Sequence, residues 1–155
     1  MALDGEGYIT ISLVKEKRRK SGLSFQPKFV ISNTNKELIQ KLREIIGEGR
    51  IDIKRPPLKA KWGKKTPKKT KYDLQLYSNA IREIIPQIKG WLICKREHAE
   101  LMEEFLKYTK RGGFSFFLDP YTKRKIEIFE RIRELNGKHK LPEYKRQWLE
   151  SLMER

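Results

Sequence analysis

The sequence predicts an α+β fold in which an antiparallel four-stranded sheet packs on helices, in the order αββαββα followed by C-terminal helices. Two observations support this prediction. Segments with apolar–polar alternation come in two pairs, as in half-buried antiparallel hairpins. Between and after these pairs, apolar residues recur at three- and four-residue spacing, which is typical of amphipathic helices. The short segment ahead of the first strand is interpreted as the end of a helix.

The charge of the chain is its most unusual bulk property. The 155 residues, 37% of them apolar, suffice for one domain with a buried core. Against 20 acids stand 36 lysines and arginines, which gives a net charge of +16. Such an excess attracts polyanions and strengthens binding by releasing condensed counterions. We therefore expect a nucleic-acid partner; a soluble surface that is merely basic, as in a ribosomal-type protein, is the alternative.

Cysteine content and hydropathy limit the compartment. One cysteine, Cys94, excludes an intrachain disulfide and a zinc ribbon and suits a reducing environment. No apolar run approaches the roughly 18–20 residues of a membrane span, and no secretory signal pattern is visible. We expect a prokaryotic cytoplasmic or organellar-matrix protein, neither secreted nor membrane-bound.

Two acids interleaved with glycines, Asp4-Gly5-Glu6-Gly7, lead directly into the first strand. This pattern can place a carboxylate at a helix end beside a sheet. A hard cation such as Mg²⁺ prefers carboxylate oxygens and can be held there against a phosphate. The N-terminal segment is therefore a candidate site for a divalent cation.

The first hairpin is predicted from strands over residues 8–14 and 24–32, with a basic tip between them. Pro27 in the second strand indicates a sheet edge or a bulge, because proline cannot donate to the ladder. In the helix that follows, Thr34 and Glu37 match a capping box at its start.

The second hairpin is predicted over residues 50–54 and 71–77, after a helix end at Gly47. The connection, residues 54–71, contains nine lysines and arginines, three prolines and no acid, which favours a long loop or ribbon tip. Trp62 in this connection could stack on a base, or equally pack on its own loop.

Apolar spacing predicts further helices in the second half of the chain. Pro86 interrupts the first of them, and Asp119 followed by Pro120 is a typical helix start. Cys94 and His98 have i, i+4 spacing, but two ligands do not make a zinc site, so we interpret them as a core cysteine beside a partly buried histidine. The expected helical segments are residues 80–85, 95–108, 120–137 and 142–153.

The polar outer face of the predicted sheet is the candidate DNA interface. Hydroxyls, amides and cations in alternation suit base edges and phosphates in a major groove. Any solvated sheet face is polar, but the basic bias and the basic tips of both hairpins favour DNA here. The predicted DNA-binding residues on the sheet are Tyr8, Thr10, Ser12, Ser24, Gln26, Lys28, Arg50, Asp52, Lys54, Lys71, Asp73 and Gln75. Those in the two tips are Lys17, Arg18, Arg19, Lys64, Lys65, Lys68 and Lys69.

Four segments, in the right order and at fitting spacings, resemble the LAGLIDADG homing endonucleases of the type with a single motif. In the last of them His98 stands where glutamine is common in the family. The first segment, residues 4–11, is Asp-Gly-Glu-Gly followed by Tyr-Ile-Thr-Ile, and the second, residues 29–33, is Phe-Val-Ile-Ser-Asn, which precedes a helix with Leu-Ile-x-x-Leu. The third, residues 47–49, is Gly-x-Gly, and the fourth, residues 91–95, is Trp-Leu-Ile-Cys-Lys, which is followed by Ala99.

This resemblance implies roles for four residues. Glu6 corresponds to the metal-binding acid that ends the motif helix, and Asp4 to the earlier acid. Lys95 corresponds to the lysine near the scissile phosphate, and Asn33 to a polar residue that positions water. The implied cofactor is Mg²⁺ or another divalent cation, which polarises a phosphoryl oxygen and lowers the pKa of bound water. The plainer alternatives are a helix-end carboxylate, a solvated lysine and a helix cap, respectively, for Glu6, Lys95 and Asn33.

The resemblance also implies a homodimer in which each sheet reads one half-site of a near-palindromic duplex. Only three residues precede Asp4, so we expect a motif helix that is N-terminally shortened relative to the family. Glu37 stands where some members carry a basic active-site residue. The resemblance covers about residues 1–110, the expected LAGLIDADG-like DNA-binding and catalytic core; residues 111–155 are expected to be a C-terminal helical extension packed on the same domain.

The sequence therefore predicts a Mg²⁺-dependent, site-specific double-strand DNA endonuclease, an intron- or intein-associated homing endonuclease acting as a homodimer. The alternative is a cleavage-deficient LAGLIDADG-type DNA-binding protein or RNA splicing maturase, for which intron RNA is a further possible partner. A general RNA-associated basic protein would explain the charge, but not the acid–glycine motif.

Overall fold

The computed structural model describes residues 7–16, 22–56, 69–109, 121–138 and 140–154. A short 3₁₀ turn, Lys89–Trp91, lies between the helices Ser78–Ile88 and Arg96–Lys107. The strands are β1 (Gly7–Lys15), β2 (Leu23–Asn33), β3 (Arg50–Lys54) and β4 (Lys71–Leu76). The helices are α1 (Lys36–Ile46), α2 (Ser78–Ile88), α3 (Arg96–Lys107), α4 (Thr122–Leu135) and α5 (Glu143–Met153).

All four strands pair antiparallel in one sheet, in the order β1-β2-β4-β3. The two hairpins are joined through β2 and β4, the inner strands of the sheet. This confirms the predicted α+β class and its four-stranded antiparallel sheet. The first helix of the αββαββα order, which would carry the acidic motif, lies outside the described residues.

The inner face of the sheet forms the core with all five helices. Ile9, Ile11 and Phe29 are among the fully buried side chains of the strands, and each large apolar side chain withdrawn from water contributes about 1.5–3 kcal/mol. The same apolar cluster includes Phe129 of α4 and Leu149 of α5, so the C-terminal helices share one core with the sheet. No helix within the described ranges is long and apolar enough to cross a membrane.

Pro27 lies in a regular part of β2, opposite Ile11, and not at a bulge. At this position, however, β2 pairs with β1 and is not paired with β4. Glu16 N donates to Gly22 O, and in an antiparallel ladder every second residue pair exchanges such bonds, so the even-numbered positions of β1 and β2 bond to each other. Pro27 is at an odd-numbered position, so its nitrogen points away from β1, towards the β4 side of β2. There β4 pairs only with Phe29–Asn33, and the missing N–H of proline therefore costs no ladder bond.

The start of α1 differs from the prediction. Its N-cap is Asn35, whose Oδ1 accepts from Leu38 N at 3.2 Å, so the Thr34–Glu37 capping box is wrong. Asparagine is at least as good an N-cap as threonine, and it stands one residue closer to the first helical turn.

The turn after α1 needs two glycines for different reasons. Gly47 ends the helix in the left-handed region at φ 85°, as predicted. Gly49 has φ 123°, and a Cβ there would lie 2.8 Å from methyl carbons of both Leu74 and Leu76. The turn is further held by Arg43, whose Nε donates to Gly49 O at 2.8 Å.

Two other predicted helix limits are corrected. Helix α2 continues through Pro86 to Ile88. The proline removes only the bond to the carbonyl of Arg82, and the turn around it is held by the buried Ile85. Helix α4 begins at Thr122 with Tyr121 as its N-cap residue, later than Asp119 and Pro120, which lie outside the described residues.

The outer edge of β1 is covered by side chains from the C-terminal segment. Asn136 Nδ2 donates to Ile9 O at 3.0 Å, and Lys145 Nζ donates to Leu13 O at 2.8 Å. Both acceptors belong to odd-numbered positions, whose backbone groups point away from β2. The edge strand is therefore blunted by donors from the segment after α4 and from α5.

Candidate nucleic-acid interface

The register places the predicted DNA-binding residues of the sheet on one side, here called the outer face. Tyr8 lies opposite Val30, which lies opposite Gln75, which in turn lies opposite Arg50. Four strands spaced about 4.8 Å apart are about 14 Å across from first to last, close to the roughly 12 Å width of a major groove. The members of the outer face are Tyr8, Thr10, Ser12, Ser24, Gln26, Lys28, Arg50, Asp52, Lys54, Lys71, Asp73 and Gln75.

Within the outer face, the β3–β4 half is linked by side-chain hydrogen bonds. Asp52 accepts from Arg50 Nε at 2.8 Å and from Gln75 Nε2 at 2.6 Å. Gln75 Oε1 accepts in turn from the hydroxyl of Tyr77 at 2.8 Å. This chain of bonds fixes the amide orientation of Gln75, which matters because a glutamine reads an adenine edge through both amide atoms.

Two members of the outer face are buried. Thr10 is 6% exposed, which does not suit the direct DNA contact predicted for it, and Asp73 is 1% exposed. Ser32 Oγ donates to its Oδ1 at 2.5 Å, and Lys54 Nζ lies 2.6 Å from its Oδ2. The hydrogen bond and the charge of Asp73 raise the pKa of Lys54. Asp73 therefore holds a solvent-exposed lysine in place, and its own burial does not suit the direct DNA contact predicted for it.

The β1 side of the outer face receives a cation that the sequence prediction did not assign to it. Lys138, which follows α4, contacts the hydroxyl of Tyr8 and lies 4.9 Å over its ring. Burial acts to raise the pKa of Tyr8, but hydrogen bonds with Lys138 and Thr10 and the charge of Lys138 outweigh it, so the pKa is lowered. The only sequence signal was the basic run at 138–140, which carries no information about the strand it reaches.

Asn33 ends β2 and shapes the turn into α1. Its Oδ1 accepts from Asn35 N at 2.8 Å, an Asx turn. The capping of the helix itself falls to Asn35, so the helix-cap alternative for Asn33 is wrong. Whether Asn33 positions water stays a prediction.

Lys95 occupies the N-cap position of α3 and is half-buried. Its carbonyl accepts from Ala99 N at 3.0 Å, which begins the helix. Its side chain does not cap the helix. A cation at the positive end of a helix dipole is unfavourable by itself, but the two together attract an anion such as a phosphate.

Cys94 and His98 differ in burial. Cys94 is exposed, so its interpretation as a core residue is wrong. His98 was expected to be partly buried; it is buried, and its Nε2 is 3.2 Å from Asn136 Oδ1. Across the described ranges no group of three or more His, Cys, Asp or Glu side chains could hold a metal ion.

Several predicted site residues lie outside the described residues. They include both candidate metal ligands and most of the cations in the two hairpin tips. Lys69, in contrast, is described and exposed. The predicted residues outside are Asp4, Glu6, Lys17, Arg18, Arg19, Lys64, Lys65 and Lys68.

Comparison with protein families decides the affiliation of the chain. Residues 3–94 match the model of the LAGLIDADG endonuclease family, more than half of the sequence. The chain belongs to the LAGLIDADG endonuclease family. This match contains the acidic motif, all four strands and Cys94, and it confirms the resemblance found in the sequence. No curated protein is significantly similar to the chain.

Solved structures with the same fold include several homing endonucleases. The archaeal intron-encoded homing endonuclease I-Vdi141I, complexed with DNA, has a TM-score of 0.68 at 17% identity, over 99% of this chain and 93% of that one. I-CvuI in complex with the I-CreI target has a TM-score of 0.66 at 15% identity, over 97% and 89%. I-SmaMI bound to its uncleaved DNA target with calcium ions has 0.64 at 18%, over 95% of this chain but only 46% of that one. These likenesses show the fold, and the coverage fits the single-domain type within the family.

Proposed function

We propose that this LAGLIDADG protein is a site-specific double-strand DNA endonuclease, an intron- or intein-associated homing endonuclease that acts as a homodimer with Mg²⁺ or another divalent cation. The observation that supports it most is the outer face, where cross-strand register brings hydroxyls, amides and cations into one polar surface of major-groove width. Membership of the LAGLIDADG endonuclease family supports DNA cleavage as the reaction.

Double-stranded DNA as substrate has support from charge as well as shape. The net charge of +16 suits a polyanion, and I-Vdi141I and I-CvuI, which share this fold, were solved with DNA. The amide of Gln75 and the exposed cation of Lys54 are oriented by neighbours on the sheet. Preoriented groups suit sequence readout, because less side-chain freedom is lost on binding.

The chemistry of the donor set fits a divalent cation. Glu6 and Asp4 would hold it, since hard cations prefer carboxylate oxygens. The two acids on the outer face are unsuited, because Asp52 and Asp73 are already bound by Arg50 and Lys54. The bound cation would polarise the scissile phosphate and activate water. Lys95 would offset negative charge that grows on the phosphate.

The single acidic motif in this sequence supports the proposed homodimer. One acidic motif supplies one strand-cleaving centre, and a double-strand cut needs two. I-SmaMI, which shares the fold over 46% of its own length, is about twice as long as the matched region. We propose that two copies of this chain supply the two halves, with each outer face on one half-site. Residues 1–110 would then be the catalytic core and residues 111–155 an extension of the same domain.

We propose a reducing compartment for the protein, a prokaryotic cytoplasm or an organellar matrix. The exposed thiol of Cys94 would be prone to oxidation elsewhere.

The test is the solution mass and the cleavage of one sample. The protein is mixed with a duplex spanning the uninterrupted insertion site of its host gene, in Mg²⁺, and a scrambled duplex of equal length is the control. We expect a mass of two chains per duplex and a cut in both strands of the specific duplex alone. A monomer that binds without cutting would contradict the proposal and favour the cleavage-deficient DNA-binding protein. Stronger binding to intron RNA than to the duplex would favour the maturase.

A further inference from the structure

The Asn136 side chain joins two parts of the chain that are distant in sequence. Its Nδ2 donates to Ile9 O of β1 at 3.0 Å. Its Oδ1 is 3.2 Å from Nε2 of His98 on α3. Asn136 itself follows the last turn of α4, where its backbone N–H bonds to Ile132 O.

The chemistry of the three groups fixes the direction of both bonds. A backbone carbonyl can only accept, so the amide nitrogen of Asn136 must face Ile9 O. The amide oxygen then faces His98, whose Nε2 must carry the proton and donate. His98 is only 8% exposed, and within the described residues its Nδ1 has no hydrogen-bond partner. The neutral tautomer with the proton on Nε2 satisfies this arrangement.

In the sequence, each attachment point follows a predicted catalytic residue by three positions. Ile9 is three residues after Glu6 in the chain. His98 is three residues after Lys95, one turn along α3. The link therefore joins β1, the strand that follows the acidic motif in the chain, to α3, the helix whose N-cap residue is Lys95.

We propose that Asn136 is a positioning residue that fixes β1, close to its start, relative to the start of α3, where Lys95 is the N-cap residue. The role in cleavage rests on the proposed endonuclease function; the mechanical link does not. With this link, the segment at the end of α4, which lies outside the family match at residues 3–94, helps to position the proposed active site.

A positional role is reasonable because catalytic groups tolerate little displacement. A shift of about 1 Å can cost on the order of a hundredfold in rate. Ile9 lies on the outer strand of the sheet, where β2 holds only one side. Asn136 supplies a fixed donor on the other side, near the point where β1 begins.

The test compares four variants of the full chain. Asn136→Ala removes both bonds, and His98→Leu removes the donor to Asn136. His98→Gln retains an N–H donor. Gln147→Ala is the matched control, because within the described residues the Gln147 amide bonds to Glu143 on its own helix and not to β1 or α3. Three quantities are measured: hydrogen exchange of peptides covering residues 7–15, duplex affinity in Ca²⁺, and the single-turnover cleavage rate in Mg²⁺.

For Asn136→Ala we expect about tenfold faster exchange in β1 and a cleavage rate lowered at least about tenfold, with duplex affinity within about threefold. His98→Gln should retain more of the rate than His98→Leu, and Gln147→Ala should match the parent. A merely structural role would lower affinity and cleavage together. Equal losses in both, or unchanged exchange in Asn136→Ala, would overturn the proposal.

The two proposals can fail separately. If the parent protein does not cut, the endonuclease function fails, and the link is judged by exchange alone. If the parent cuts and Asn136→Ala cuts equally well, the endonuclease function stands and the positioning role is refuted.

Discussion

Asp52 and Asp73 lie directly opposite each other in the β3–β4 ladder. Like charges at such a position are destabilising by themselves. Each is matched by a cation two positions along β3: Arg50 bonds to Asp52 at 2.8 Å, and Lys54 to Asp73 at 2.6 Å. Asp52 and Asp73 thus act as anchors, because each fixes the position of one cation, Arg50 or Lys54, on the outer face.

The first prediction concerns the anchor under Lys54. Asp73→Asn removes the negative charge and releases Lys54, so the salt dependence of binding to random-sequence duplex should steepen by about 0.9 in log–log slope if the lysine reaches a phosphate. The free energy of unfolding should fall by about 1–3 kcal/mol, because a buried charge-assisted bond is removed. Salt titrations and urea denaturation measure the two effects.

Glu100→Gln is the control for Asp73→Asn. It makes the same change of charge at an exposed position on α3, where Glu100 pairs with Arg96 on the same helix at 3.5 Å. It should leave both quantities near the parent values. An unaltered salt slope in Asp73→Asn would place Lys54 away from the DNA backbone.

The second prediction concerns the acidic motif. Glu6→Gln should leave duplex affinity within about tenfold and abolish cutting, because only the metal site changes. The measurements are duplex binding in Ca²⁺ and strand cleavage in Mg²⁺. Nicking at the parent rate by the variant would show that Glu6 is not the metal ligand.

The third prediction concerns the long basic connection. Replacing Lys64, Lys65, Lys68 and Lys69 together with glutamine should flatten the salt dependence of DNA binding by about 0.9 for each phosphate that the variant no longer neutralises. Replacement of the exposed helix lysines Lys41, Lys107 and Lys123 is the comparison, with the slope change expressed per charge removed. Equal changes per charge in both sets would mean that the connection acts only through net charge.

The fourth prediction concerns the pH dependence of stability. Burial, the largest effect, lowers the pKa of His98 below its ordinary value of 6.5; Lys95 and Arg131 lower it further, while the bond to Asn136 and the charge of Glu97 act to raise it. Between the lowered pKa and about 6.5, the unfolded chain binds more protons than the folded one. The free energy of unfolding should therefore fall as the pH drops below about 6.5.

Urea denaturation at about pH 5.5 and about pH 7.5 checks this dependence, with His98→Gln as the comparison. Glutamine does not titrate, so the variant should lose part of the difference between the two pH values. The same difference in variant and parent would assign the pH dependence to other groups.

Local patterns predicted the sheet well because strand alternation and glycine turns are local signals. Strand β3 was predicted at its observed limits, since Gly47 and Gly49 mark the turn before it. The start of α1 was missed because two capping patterns compete within three residues, and Asn35 satisfies the first turn better than Thr34. The interruption predicted at Pro86 was wrong, because the packing of α2 outweighs the one backbone hydrogen bond that the proline cannot donate.

The support of the site could not be predicted, because it depends on contacts between distant residues. Asn136 and Ile9 are 127 positions apart, and Lys138 and Tyr8 are 130 apart. No spacing or propensity links such pairs; they arise only when α4 packs on the sheet. Likewise, alternation put Asp73 on the outer face, but its burial results from Ser32 on one neighbouring strand and Lys54 on the other.

The covered edge of β1 has a consequence for how copies of the protein can meet. A bare outer strand is a template on which a neighbouring chain can build continuous β-structure, the usual beginning of aggregation. Here the carbonyls of Ile9 and Leu13 are already taken by Asn136 and Lys145. Strand pairing with a second copy at this edge would have to displace both donors, so this edge is unsuited to joining two copies of the protein.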